Sequence, residues 1–81
     1  MMVRGRVTGR LWSTKRIETL PQGALLNVEL ENGTHIIALD PLGCGEGEDV
    51  LIVQGSVAAA YFDNIKAPID ALIIGSIDGD N

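Results

Sequence analysis

The chain has little of what small enzymes and metal-binding proteins depend on: one cysteine, one histidine and three aromatic residues among 81. A lone thiol closes no internal disulfide, and without a Cys-x-x-Cys pair or a His/Cys cluster there is no zinc-binding set. No apolar run approaches the roughly 20 residues that a membrane-spanning helix needs. Arginines at Arg4, Arg6 and Arg10 interrupt the stretch where a secretory signal would carry its apolar core. These absences predict a cytoplasmic protein with no metal and no cofactor. Cations are also scarce along most of the chain. Five of the six, Arg4, Arg6, Arg10, Lys15 and Arg16, lie in the first sixteen residues, whereas all eleven acids fall between Glu18 and Asp80, for a net charge of −5.

What is present is apolar and patterned. Hydrophobic residues make up 46% and charged residues 21% of the chain, which places it among globular proteins and far from the disordered class. Its length predicts one domain over residues 1–81. A chain this short buries only about 60% of the surface it exposes when unfolded, so self-association would relieve a marginal core.

Strand periodicity dominates. Val3, Gly5, Val7, Gly9 and Leu11 alternate with Arg4, Arg6, Thr8, Arg10 and Trp12, predicting a long first strand whose glycines permit the bending of a small closed barrel. Leu26, Val28 and Leu30 form a second alternating set, and Asn32-Gly33 predicts a two-residue hairpin. That turn pairs Leu30 with His35, Val28 with Ile37 and Leu26 with Leu39, which sends Ile36 and Ala38 outward. His35, without a nearby nucleophile or second ligand, is expected to be a partly buried strand residue. Val50 to Val53 and Leu72 to Ile74 are apolar at successive positions, so both faces of two strands need cover. Ser56 is a candidate helix cap for a short helix through Phe62, followed by a loop from Asp63 to Pro68 and a polar tail from Asp78.

The stretch Asp40-Pro-Leu-Gly-Cys-Gly-Glu-Gly-Glu-Asp49 is the most distinctive local motif. Gly43, Gly45 and Gly47 at alternate positions predict a tight path with positive φ. The spacing fits neither a dinucleotide site nor a P-loop, and a strand follows where both need a helix. Glu46, Glu48 and Asp49 fit no EF-hand pattern. No cation or histidine flanks Cys44 to activate it, so it reads as a small packed residue. Gly43, Cys44, Gly45 and Gly47 are therefore assigned to a structural loop, with no catalytic residue. Two partners suit the basic first strand. One is a single-stranded nucleic acid, with the arginines on phosphates and Trp12 stacked on a base; the other is the acidic edge of a second copy.

The spaced motifs taken together are more specific. Gly9, Thr14-Lys15, Leu25-Leu26-x-Val28, Asp40-x-x-Gly43-Cys44-Gly45-x-Gly47-Glu48-x-Val50-Leu51, Gly55-Ser56-x-Ala58 and Pro68-Ile69-Asp70-x-x-Ile73-Ile74-Gly75-x-Ile77-Asp78 resemble the vertex proteins of bacterial microcompartments, the EutN/CcmL family. The resemblance implies an all-β fold, a small closed five-stranded OB-like barrel with one short helix. It also implies a cyclic pentamer at the corners of a carboxysome or metabolosome shell, hexameric shell proteins as neighbours, and no catalysis. The chain departs from the family at Cys44, where alanine is frequent, and at Ala59, where arginine is. Candidate interface residues are Arg4, Arg6, Ile36, Ala38, Ser56 and Ile73.

Overall fold

A computed structural model describes residues 2–12, 15–18, 20, 22–60 and 69–77, the side chains of Ser56 and Val57 excepted. Strands β1 (Met2–Leu11), β2 (Ala24–Leu30), β3 (His35–Asp40), β4 (Asp49–Gln54) and β5 (Ala71–Ser76) and helix α1 (Ser56–Ala60) follow one another along the chain, with α1 between β4 and β5. The strands close into a barrel in the order β1-β2-β3-β5-β4, and β4 pairs back on β1. All pairings are antiparallel except that of β3 with β5. This five-stranded closed barrel with one short helix is the architecture the sequence predicts. Tyr61 and Phe62, the Asp63 to Pro68 loop and the tail from Asp78 lie outside the described residues.

Closure depends on β1, which is hydrogen-bonded to β2 on one edge and β4 on the other. Gly5 sits where both ladders run, opposite Leu30 and Val50. A Cβ on Gly5 would lie 2.5 Å from Val28 Cγ1 and 3.1 Å from the Glu29 carbonyl oxygen, so the strand crosses the interior at a distance that only glycine permits. Gly9 differs: nothing lies within 4 Å of its would-be Cβ. The bend near it comes instead from a β-bulge at Thr8, where the pairing steps from Val7↔Val28 to Gly9↔Asn27. Thr8 Oγ1 donates to the Asn27 carbonyl at 3.1 Å. Because the bulge adds one residue, the faces of β1 exchange beyond it. Arg10 now pairs with Leu26, yet at this end of the barrel both Arg10 and Leu11 are exposed.

The β2–β3 hairpin corrects the predicted register by one residue. Gly33 N donates to the Leu30 carbonyl at 2.9 Å, Leu30 N donates to the Thr34 carbonyl at 2.8 Å, and Gly33 has φ 90°. The loop therefore has three residues, Glu31 to Gly33, with the glycine in a bulge, rather than the two-residue turn. Asn32 Oδ1 accepts from Thr34 N at 2.9 Å, which favours this longer loop. Glu29 faces His35, Val28 faces Ile36 and Leu26 faces Ala38. A one-residue slip inverts a whole strand: Ile36 and Ala38 point inward, Ile37 is 54% exposed, and His35 is exposed rather than partly buried.

Two packed layers result. Val7, Leu26, Val28, Ala38, Val50, Ile52, Ala71 and Ile73 fill the barrel, with Val3, Ala24, Leu30, Ile36 and Cys44 against them. Full burial of each large aliphatic side chain contributes about 1.5–3 kcal/mol. A second, smaller cluster lies on the outside, where Leu39, Leu72 and Ala58 are buried among Leu25, Val53 and Ile69. Helix α1 packs on β4 and β5, so the second face of those apolar strands is covered largely by the chain itself. Of the two ways to cover that face, by the fold itself or by a second copy, the first supplies most of the cover. Ile74 escapes cover at a bulge in β5, between Ile73↔Ile52 and Gly75↔Leu51.

The glycine contrast is testable. Gly5→Val should destabilise the fold by about 3 kcal/mol through forced overlap with Val28 and the β2 backbone, while Gly9→Ala should change it by less than about 1 kcal/mol. Urea unfolding followed by circular dichroism measures both.

Candidate assembly interface

The loop between β3 and β4 folds across the end of the barrel and is tied down by two carboxylates. Asp40 is only 2% exposed, and its side chain accepts from Leu42 N at 2.9 Å, Gly43 N at 3.2 Å and Cys44 N at 2.6 Å. A buried charge of this kind is tolerable because several donors converge on it. At the far end, Glu48 accepts from Gly45 N at 2.6 Å and from Ser76 Oγ at 2.7 Å. Gly47 N and the Val7 carbonyl, and Val7 N and the Glu48 carbonyl, then join the loop to β1 at 2.8 and 3.0 Å. Gly43 and Gly47 have φ near +90°, as expected. Gly45 does not, and its would-be Cβ meets only Glu48 Oε1 at 3.6 Å. The strain assigned to three glycines in fact belongs to two.

Cys44 packs against the main core. Burial, reinforced by the nearby Asp40 carboxylate, pushes its thiol up to about 11, so at neutral pH it is a packed thiol and not a nucleophile. Asp40, which anchors the loop, was recognisable only as part of the family motif. Its local signal is an aspartate followed by Pro-x-Gly, a pattern in which a carboxylate caps the succeeding amides.

The outer face of β1 carries the arginines. Arg6 faces Asp49 directly across the β1–β4 ladder and pairs with it twice, Nε to Oδ1 at 3.0 Å and Nη2 to Oδ2 at 3.4 Å. On the other side it faces Glu29. Arg4, Arg6, Glu29, Glu31 and Asp49 line one open groove of about 630 Å³, so acids already compensate the basic edge there. Arg10 lies beyond the bulge, stacked 4.2 Å from the centroid of the Trp12 ring. The three arginines thus form no continuous track, and one face of the only tryptophan is occupied. Both findings weaken a nucleic-acid platform.

Of the six candidate interface residues, Arg4 and Arg6 remain on the surface. Ala38 is fully buried in the barrel and Ile36 packs against it because the hairpin register differs from expectation, and Ile73 is fully buried because it alternates with Leu72 and Ile74 onto the inward face of β5. Ser56 opens α1, and the Gly55 carbonyl before it accepts from Ala58 N at 3.1 Å. The large apolar side chains left outward include Met2, Leu11, Trp12, Ile17, Ile37, Leu42 and Ile74.

The loop generates two predictions. Asp40→Ala should cost about 3 kcal/mol by orphaning three amides, with Asp40→Asn losing roughly half as much; thermal unfolding of the two variants decides. Glu48 is held below its ordinary 4.5 by the Ser76 hydroxyl and then the Gly45 amide, and Asp49 below its ordinary 3.8 by Arg6. A depressed carboxylate stabilises the fold above its unfolded value and loses that contribution as pH falls through the folded one. Stability should therefore decline below about pH 4.5, and Glu48→Gln should flatten part of that decline in an acid titration.

The family profile described as ethanolamine utilisation protein EutN/carboxysome matches residues 2–78. The bacterial microcompartment shell vertex protein EutN of Salmonella typhimurium is 36% identical over 78 residues, covering 89% of this chain and 79% of that protein. The carboxysome shell vertex protein CsoS4A of Hydrogenovibrio crunogenus is 41% identical over 75 residues, covering 90% and 82%. Among solved structures, the pentameric shell protein MSM0273 from the RMM microcompartment superposes with a TM-score of 0.88 at 57% identity, over 98% of this chain and 95% of that one. The GrpN pentameric microcompartment shell protein from Rhodospirillum rubrum does so with a TM-score of 0.79 at 30% identity, over 98% and 95%. Sequence, superposition and near-complete coverage agree, and the chain belongs to the EutN/CcmL family.

Proposed function

We propose that the protein is a structural shell component of a bacterial microcompartment, assembled as a homopentamer that caps the vertices of the polyhedral shell. The observation that carries this reading is the match to a pentameric shell protein at 57% identity over 98% of the chain. The relatives it matches are vertex proteins of carboxysomes and of other microcompartments, and none of those named is an enzyme. Its place is accordingly the shell itself, with hexameric shell proteins as flanking tiles.

The physical construction suits a building block. Aliphatic side chains fill the barrel interior, leaving function to the outer surface. That surface keeps several large apolar residues in water, among them Ile37 and Trp12, which an assembly can bury. A ring needs two different patches on each copy, because a heterologous contact that closes on itself generates cyclic symmetry. Arg4 is available to such a contact, and Arg6 only after exchanging its bond to Asp49.

Native mass spectrometry at micromolar concentration should give a species at five times the 8.6 kDa chain mass. Monomer alone would overturn the reading; a stable tetramer or hexamer would keep the self-association and reject the vertex role.

A further inference from the structure

The sequence is basic at its start and acidic afterwards, yet around Arg4 and Arg6 the folded surface is balanced by Glu29, Glu31 and Asp49. The imbalance survives at the far end of β1. Arg10 meets no described carboxylate within ion-pair distance and holds its guanidinium over Trp12 at 4.2 Å. Trp12 is 80% exposed, with Leu11 and Ile17 also exposed nearby in the chain. An exposed tryptophan beside an arginine is the composition of an interface anchor. The stacking fixes the ring before contact, which lowers the entropy lost on docking.

The complement lies on the same molecule. In the loop after β3, Pro41 and Glu46 are exposed and Leu42 is 57% exposed. Glu48 is engaged by Ser76 and Gly45 and Asp49 by Arg6, which leaves Glu46 as the loop acid whose carboxylate has no described hydrogen-bond or ion-pair partner. Asp40 and Glu48 hold this backbone from both ends, so the patch is apolar, acidic and rigid. Trp12 and Leu42 are both left in water, so the two patches do not satisfy each other within one copy. They are different from one another, as a head-to-tail contact requires.

We propose that Trp12 and Arg10 of one copy seat against Pro41, Leu42 and Glu46 of the next, a contact that rests on the pentameric reading above and locates its ring-closing surface. Trp12 is the only tryptophan, so the wild-type protein reports on itself. In the assembled ring its emission should shift to shorter wavelength and acrylamide quenching should fall severalfold relative to diluted, dissociated protomers. Arg10→Glu and Glu46→Arg should each raise the concentration at which half the ring dissociates by roughly tenfold or more, and the double variant should recover most of that loss. Circular dichroism on the same samples checks that the barrel is retained. A five-copy ring whose Trp12 stays fully quenchable, or whose assembly ignores both charge reversals, overturns the contact while leaving the ring intact. So does a Trp12 that becomes protected only when another shell protein is added. Absence of any ring in the wild-type protein would instead overturn the pentameric reading itself.

Discussion

Everything in this barrel depends on how closely β1 passes β2 and β4 across the interior. All five strands are bonded on both edges, and a barrel this small closes only with strong bending; β1 allows it by passing Val28 and Ile52 where Gly5 offers no side chain. Once β1 is bent, the aliphatic rows of β2, β3, β4 and β5 face a common interior. The remaining devices, the Thr8 bulge and the bound loop at the barrel end, adjust what that closure leaves open.

The loop shows how a charge can organise backbone without taking part in chemistry. Asp40 emerges from β3 on the inward side, level with Ala24, where a carboxylate without partners would be expensive. Three successive amides turn toward it, and the turn carries Cys44 onto the core beneath. The same residue thereby ends a strand, satisfies a reversal of the chain and seals the barrel. Helix α1 does comparable work on the flank, where the small side chain of Ala58 lets this five-residue helix lie close over Leu72 and Val53.

Much of this was legible in the chain because it rests on local pattern. The alternation in β1 and β2, the apolar runs of β4 and β5, the hairpin glycine and the special backbone at Gly43 and Gly47 all follow from period and residue type. What escaped depends on parity. Asn32-Gly33 announces a turn but does not say whether two or three residues form it, and that single residue decides whether Ile36 or Ile37 faces the interior. Nor did alternation reveal the bulge that moves Arg10 away from Arg4 and Arg6. The surface was least legible for the same reason: a small helix covered Leu72 from outside, and cross-strand acids neutralised arginines that looked like a basic edge.

The bulge at Thr8 has an evolutionary consequence. Because faces alternate strictly along a strand, one inserted residue exchanges the outward set for the inward set over everything that follows, while the pairing partners stay nearly in place. The stretch from Gly9 to Leu11 can therefore acquire a new exterior through a single insertion or deletion, with no change to Val3, Gly5 or Val7 in the interior. In a shell, where neighbours change from one compartment to another, such a hinge between fixed core and adjustable rim lets a conserved barrel be fitted to different surroundings by length changes at one position.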